Sequence, residues 1–230
     1  MASSTPSPTP PAGGWQQGDG SATDRAWLAD WRRQVAALYA EVRALAATDP
    51  AAAHARWRAV RERLFREHPQ SPVPPASRSG FRAQHFAHDP SLRFSVTLEP
   101  APPVAPGAFD LRLPNSGADS LAFGRLGRVE IPFAEAPRRL SVFWMAGYAG
   151  GLFIPFRDAT NGAETYGAGR YLVDAAKGAD LGGDPAAATL ILDFNFCFQP
   201  SCAFDPRWAC PLAPPENRLD IPIRAGERLA

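Results

Sequence analysis

The chain has few of the residues that identify a function directly. Of its 230 residues, three are cysteine and four are histidine, and Lys177 is its one lysine. Three clustered cysteines are too few for a disulfide framework. The 24 basic and 23 acidic residues nearly balance, so no strong field favours nucleic acid or an anionic membrane as a partner. We therefore expect neither.

No secretory or membrane-spanning segment is recognisable in the sequence. Residues 1–23 are rich in Pro, Ser, Gly and Thr and contain no apolar run, whereas a secretory signal pairs a basic start with an apolar stretch. No window approaches the roughly 18 apolar residues of a transmembrane helix. We expect a disordered leader over 1–23, a cytoplasmic location and no membrane partner.

The rest of the chain has a globular composition, with 45% hydrophobic residues overall. We expect residues 24–230 to form a single domain, with a helical hairpin over 24–68 and a β-rich core over 69–230. Apolar residues at spacings of three and four place one stripe on a first helix: Leu28, Trp31, Val35, Leu38, Val42 and Leu45. Asp24 is the expected N-cap of that helix. Asp49 and Pro50 start a second helix, which ends at His68.

Downstream of the hairpin the pattern changes to short apolar segments separated by turn residues. They predict strands over 92–98, 109–113, 121–133, 140–145, 151–156, 170–173, 189–198 and 218–223. Because no helical periodicity lies between them, the pattern favours antiparallel pairing over parallel βαβ units. The expected fold is α+β and mostly β, an antiparallel β-sandwich or half-barrel that carries the helical hairpin.

The segment 190–198 has the clearest alternation in the chain. If it is one continuous strand, five apolar side chains share one face. Asp193, Asn195 and Cys197 then share the other face, which is either solvated or lines a cavity. On the second interpretation, Asp193 is a candidate catalytic group and Asn195 a candidate ligand contact.

Glycine-rich turns near residues 161–169 bring further polar groups together. Glu164 and Tyr166 offer an acid and a phenol, and Arg157 and Arg170 offer guanidinium groups that suit a carboxylate or phosphate. Alternatively, Arg170 forms a structural ion pair. Its possible partners are Asp158, Asp174 and Asp193.

The segment before the last predicted strand is stiffened by Pro214 and Pro215. Such a backbone presents Glu216, Asn217 and Arg218 with little loss of entropy. Glu216 is a candidate acid or base, and Asn217 and Arg218 are candidate ligand contacts. The same residues would equally serve as a structural clamp that satisfies loop amides.

The cysteines and histidines leave several interpretations open. Cys202 and Cys210 fit inert buried thiols or a short disulfide. They fit zinc ligands less readily, because the spacing typical of zinc sites is absent, and a reactive thiolate less readily too, because no histidine lies nearby in sequence to activate it. His85 and His88 have a spacing that a metal can use, but in a loop it carries no special geometry. The sequence therefore predicts no metal site and identifies no cofactor.

Six stretches resemble domain-of-unknown-function family 1684 of bacteria and archaea. They are HPQSPV (68–73), HDPSLRF (88–94), GGLFIPFRDATNGAETYGAGRYL (150–172), LDFN (192–195), PSCAFDPRWACPLAPPENRL (200–219) and IRAGE (223–227). The resemblance runs from about Trp57 to the C-terminus, and it implies no activity, because the family has none assigned. The chain departs from the family pattern at 197–199, where Cys-Phe-Gln replaces Ala-Tyr-Asn, and at His85, where Tyr is more usual.

Two functions fit these residues. The first is a site for an anionic small molecule on the β-rich C-terminal region, used either for binding alone or for catalysis. The polar loop and strand residues would surround a pocket. The second is a non-catalytic binding or scaffold protein, in which the same residues form a structural network. Convergence around a concave pocket would favour the first, and full mutual satisfaction would favour the second.

Overall fold

The computed structural model describes residues 20–102, 111–112, 122–146 and 150–229. Residues 1–19 of the predicted leader lie outside the described ranges. So do residues 109, 110 and 113 of the strand predicted over 109–113. Among the described residues, no helix is both long and apolar enough to cross a bilayer.

Two antiparallel helices open the described chain, α1 (Ala22–Ala46) and α2 (Pro50–Glu67). The N-cap of α1 is Ser21, whose hydroxyl accepts a hydrogen bond from the Asp24 amide at 3.1 Å. The prediction of Asp24 as the cap was wrong, because a serine three residues earlier satisfies that amide. Asp49 caps α2 as expected, since its carboxylate accepts from the Ala52 amide at 2.9 Å.

The rest of the fold is one antiparallel sheet. Its strands are β1 (Arg93–Pro100), β2 (Leu111–Arg112), β3 (Ala122–Ile131), β4 (Arg138–Met145), β5 (Leu152–Phe156), β6 (Arg170–Asp174) and β7 (Thr189–Asp193). The strand order is β6-β5-β4-β3-β1-β7, and β2 pairs with β3. This curled half-barrel with an N-terminal helical hairpin confirms the expected α+β, mostly β fold.

Buried apolar side chains form two clusters. One cluster joins the hairpin to the sheet, and in it the indole of Trp57 packs edge-on against Phe196 at 5.5 Å between ring centres. The other cluster fills the sheet interior around Leu192 and Phe194. The hairpin therefore packs on side chains that follow β7, such as Phe196, and on sheet residues such as Phe153 and Tyr171.

The prediction of one strand over 190–198 was wrong. β7 ends at Asp193, and residues Phe194–Phe196 form a 3-10 turn. The carboxylate of Asp193 accepts a hydrogen bond from the Asn195 amide at 3.0 Å, which closes the turn and removes that amide from the ladder. Phe194 and Phe196 consequently face different clusters instead of one common face.

The strand predicted over 218–223 is also absent. Arg218 makes a single parallel bridge to Arg157. Residues after Arg218 run beside the segment that follows β5. Isolated backbone hydrogen bonds connect the two, such as the one from the Leu219 amide to the Arg157 carbonyl at 2.8 Å. Pro222 cannot donate to a ladder, so regular pairing does not continue.

Candidate functional site

Asp193 and Asn195 are completely buried and bonded within the protein. The second carboxylate oxygen of Asp193 lies 3.1 Å from the Arg93 guanidinium. The Asn195 side chain accepts from the Asp89 amide at 2.8 Å and donates to the Asp89 carbonyl at 2.7 Å. Together the two residues fasten the segment before β1 to the end of β7.

Arg170 is completely buried, and its ion-pair partner among the three predicted candidates is Asp158, at 2.8 Å. The same guanidinium donates to the carbonyl oxygens of Ile223 at 2.7 Å and Glu227 at 3.1 Å, and also to that of Ala225. A planar fork of donors can serve several acceptors at once. Arg170 therefore ties the C-terminal segment to β6.

Asn217 occupies the middle of another buried set of bonds. Its side-chain oxygen accepts from the Ser141 amide at 2.8 Å, and its nitrogen donates to the carbonyls of Ser141 at 3.0 Å and Pro155 at 2.7 Å. Arg157 bonds weakly to the Ala168 carbonyl at 3.4 Å. Arg218 is exposed to solvent.

The predicted acids Glu164 and Glu216 are each paired with an arginine near the surface. Glu164 contacts Arg224 at 2.9 Å, and Glu216 contacts Arg125. The hydrogen bond from Arg224 lowers the pKa of Glu164, so this carboxyl group is ionised at neutral pH. Burial and a hydrogen bond with Cys202 raise the pKa of Tyr166 to about 12, so its phenol keeps its proton.

The nine predicted site residues occupy different environments in the described structure. Four are buried in hydrogen-bonded positions, namely Arg170, Asp193, Asn195 and Asn217, and two are acids in surface ion pairs. None of the nine lines any of the four pockets found among the described residues. Their catalytic and binding roles stay predictions.

A cavity of about 110 Å3 lies elsewhere, between the helical hairpin and the segment 198–210. We call it the hairpin cavity. Its walls are mostly apolar and include the aromatic side chains of Trp31, Tyr39, Phe65, Phe198 and Trp208. Ligand sites in proteins are typically concave and lined by such side chains, with a few polar groups among them.

The charged residues that line the hairpin cavity are all basic. They are Arg32, Arg61 and Lys177, and no Asp, Glu or His belongs to the described lining. Arg32 is exposed and has no carboxylate partner in the described part of the chain, whereas Lys177 pairs with Asp174 at 3.0 Å. The cavity therefore presents an apolar interior beside positive charge.

Arg61 is held in the cavity wall by stacking and by charge. Its guanidinium carbon lies 4.4 Å from the centre of the Phe65 ring and 4.7 Å from that of Phe198. Two of its nitrogens donate to the two carboxylate oxygens of the buried Glu227, the Nη2 bond measuring 3.1 Å. Cation–π contacts and a bidentate pair both favour a fixed guanidinium.

The cysteines are present as buried thiols. Burial raises the pKa of Cys197 to about 12. A hydrogen bond with Cys202, together with burial, raises the pKa of Cys210. Since the thiolate is the nucleophilic form, these two thiols are poor nucleophiles. Cys210 lines the hairpin cavity.

His85 and His88 lie beside a third histidine that the sequence analysis overlooked. The ring of His54, on α2, is 6.2 Å from that of His85 and 5.3 Å from that of His88. Burial lowers the pKa of His54 to about 3, so its imidazole is neutral. No group of three His, Cys, Asp or Glu residues in the described ranges could hold a metal ion.

The residues that form the hairpin cavity were missed as functional candidates. Trp31 was assigned to the apolar stripe of α1, and Trp208 was noted only as part of a matching stretch. The one available signal was the unusual density of aromatic residues in both segments. That signal does not indicate that the segments face each other.

The fold and the cavity define a mostly β protein with a curled antiparallel sheet, a docked helical hairpin, and a cavity between the hairpin and residues 198–210. The chain belongs to the family described as "Protein of unknown function (DUF1684)", whose model matches residues 81–228. This confirms the resemblance found in the sequence, although the match begins later than Trp57.

Among solved structures, the chain is similar to an uncharacterised protein of Haloarcula marismortui determined by solution NMR. The two share 29% sequence identity with a TM-score of 0.53, and the similarity covers 75% of this chain and 90% of the other. No curated protein matches the chain.

Proposed function

We propose that this protein binds a small apolar molecule carrying an anionic group, and that the molecule occupies the hairpin cavity. The observation that carries the proposal is the lining itself, which combines five aromatic side chains with three basic residues and no acidic one. An apolar body gains free energy on leaving water. An anion gains from Arg32, the one cation of the described lining that has no carboxylate partner, since Arg61 pairs with Glu227 and Lys177 with Asp174.

The size of the cavity limits the buried part of the ligand. An engineered apolar cavity of about 150 Å3 in another protein holds benzene, so about 110 Å3 encloses a short branched chain or part of one ring, and the rest of the ligand extends to the open side. Arg32 is exposed at the cavity. An anionic group that reaches the open side would meet this guanidinium.

Binding without catalysis fits this lining best. Acid–base chemistry needs a side chain with a pKa near the working pH, and the described lining offers no carboxylate or imidazole. The thiol of Cys210 is protonated because its pKa is raised. In this proposal a ligand site, from the first hypothesis, is combined with a structural role for the buried polar residues, from the second.

In this proposal Arg170, one of the predicted site residues, does not contact the ligand but acts through other residues. Arg170 holds the backbone at Ala225 and Glu227. The Glu227 carboxylate in turn holds Arg61 in the cavity wall. Arg170 is therefore a positioning residue for the cavity.

A calorimetric titration with two probes of matched shape tests the proposal. Phenylacetate carries the ring and the charge, whereas phenylacetamide keeps the shape without the charge. We expect phenylacetate to bind at least about fivefold more tightly than phenylacetamide, because a contact between the carboxylate and a cation is worth roughly 1 kcal/mol. In Arg32→Gln this preference should shrink, while Arg63→Gln, at an exposed position on α2 away from the cavity, should keep it. Equal affinities for the two probes would refute the anionic part of the proposal.

A further inference from the structure

A second cavity, of about 220 Å3, lies between residues 81–84, the turn Ser201–Ala203 and the end of the chain. We call it the C-terminal cavity. Its floor is fixed by backbone pairing, since the Arg228 amide donates to the Gln84 carbonyl and the Phe86 amide to the Gly226 carbonyl, each at 3.0 Å. It is thus built from segments that are held together independently of any ligand.

Two arginines on this cavity form no ion pair with a carboxylate among the described residues, although the charge of Arg228 helps to lower the pKa of Glu164 and its guanidinium lies 5.4 Å from the centre of the Phe86 ring. Arg82 bonds to the Phe81 carbonyl at 2.8 Å, and Arg228 bonds to the Leu229 carbonyl at 3.3 Å. Both side chains belong to exposed residues. The one carboxylate in the lining, Glu227, is already neutralised by Arg61. The cavity therefore carries net positive charge.

Aromatic rings form part of the wall. The rings of Phe81 and Phe204 lie 5.8 Å apart, centre to centre, at an interplanar angle of 74°. Both residues line the cavity. Both rings already pack against Phe65, whose ring centre is 5.6 Å from that of Phe81 and 5.1 Å from that of Phe204. A ligand ring would therefore contact the part of Phe81 and Phe204 that lines the cavity.

A buried hydrogen-bond acceptor in the lining has no partner. Gln199 is 7% exposed, and its amide nitrogen donates to the Arg228 carbonyl at 3.2 Å. That bond fixes the orientation of the amide, because the opposite orientation would place two oxygens together. Its Oε1 has no hydrogen-bond partner. A buried polar atom left unpaired is destabilising, and a ligand N–H or O–H would remove that penalty if the Gln199 side chain turns its Oε1, which is closed to solvent, toward the cavity.

From these features we infer that the C-terminal cavity binds a small aromatic carboxylate that also carries a hydrogen-bond donor. The carboxylate contacts Arg82 and Arg228, the ring packs against Phe81 and Phe204, and the donor reaches Gln199. This site is separate from the site proposed in the hairpin cavity, although Gln199 lines both cavities. Either site can exist without the other.

The test uses three probes, and two-dimensional NMR of the full chain locates them. Meta-hydroxybenzoate has all three features, benzoate lacks the donor and meta-hydroxybenzamide lacks the charge. We expect meta-hydroxybenzoate to shift the backbone amides of Gln84, Ala203 and Leu229. It should bind at least about fivefold more tightly than either analogue, since each lost interaction is worth roughly 1 kcal/mol or more.

Two variants assign the preferences to residues. Arg82→Gln should remove the preference for hydroxybenzoate over hydroxybenzamide, while Arg63→Gln should leave it unchanged. Gln199→Met should remove the preference over benzoate. The surface variant Arg82→Gln keeps the test decisive if the buried one does not fold.

Three results would overturn the inference. One is the absence of saturable binding by any probe, and another is equal affinity for all three. The third is a set of shifts confined to the indole signals of Trp31 and Trp208, because this would place hydroxybenzoate in the hairpin cavity. Loss of binding in the hairpin cavity alone would not affect the inference, since the amide shifts report on the C-terminal cavity.

Discussion

Glu227 and Arg61 form a bidentate ion pair that joins the last segment of the chain to helix α2. Glu227 is 2% exposed, and its Oε2 also accepts a hydrogen bond from the backbone amide of Gln199 at 2.8 Å. The partners are 166 positions apart in sequence. The pair thus fixes the hairpin, the cavity wall and the C-terminus relative to one another.

We predict that Glu227→Gln strongly destabilises the protein. Removing one charge of a buried pair leaves the other uncompensated, at about 3–5 kcal/mol. Since Arg61 retains 15% side-chain exposure, we expect the lower end, about 3 kcal/mol, in urea unfolding. Glu216→Gln is the matched control because its pair with Arg125 is more exposed. A loss below about 1 kcal/mol, the value typical of surface pairs, would contradict the structural role.

Asp193→Asn distinguishes the structural from the catalytic interpretation of the predicted acids. Asp193 is buried and paired with Arg93, so the change should lower the free energy of unfolding by several kcal/mol, roughly the range for a broken buried pair. Glu164→Gln, at a carboxyl group whose ion pair with Arg224 is open to solvent, should leave the urea midpoint near that of the wild type. Equal midpoints for both variants would count against the buried network.

His54 should make stability depend on pH in the acidic range. Its pKa is lowered to about 3 by burial and by the nearby His85, His88 and Arg58, whereas an unfolded histidine titrates near about 6.5. As pH falls below about 6.5 the unfolded chain takes up a proton that the folded chain does not, so stability declines toward about pH 3 at up to about 1.4 kcal/mol per pH unit.

Replacing this imidazole should flatten the profile. In His54→Phe, which keeps an aromatic ring against Trp57, the loss of stability between about pH 6 and pH 4 should be smaller than in the wild type by up to about 1.4 kcal/mol per pH unit. The two proteins are compared by chemical unfolding at each pH. Parallel profiles would contradict this account, because they would mean that His54 has the same pKa in the folded and unfolded states.

The thiols should be unreactive in the folded protein. Because the pKa values of Cys197 and Cys210 are raised, little thiolate forms at pH 8. Titration with Ellman's reagent should give slow or no reaction of these two in native protein and three thiols in denaturant. Rapid reaction of either thiol under native conditions would contradict the protonated, buried state.

The sequence predicts most elements of the fold because their signals are local. Apolar spacing and the Asp49–Pro50 pair suffice for the second helix, and alternation suffices for most strands. The end of β7 was missed because Asp193 also fits a continuous strand pattern. Whether its carboxylate captures the Asn195 amide depends on burial and on Arg93, which come from elsewhere in the chain.

The candidate site was harder to predict than the fold, because the residues that contact one another there are distant in sequence. The sequence identified Arg170 and offered three acids for it, and only the fold selects Asp158. Likewise, Trp31 and Trp208 form one cavity because the hairpin docks on the segment after β7. No pattern within either segment encodes that docking.

The position of phenylacetate in crystals of the protein grown or soaked with it tests the central claim most directly. The account predicts the ring in the hairpin cavity between the aromatic side chains of Trp31 and Trp208, with the carboxylate within about 4 Å of the Arg32 or Lys177 cation, the distance of an ion pair. A saturating soak that leaves the hairpin cavity empty, or places the ring elsewhere on the molecule, would contradict it.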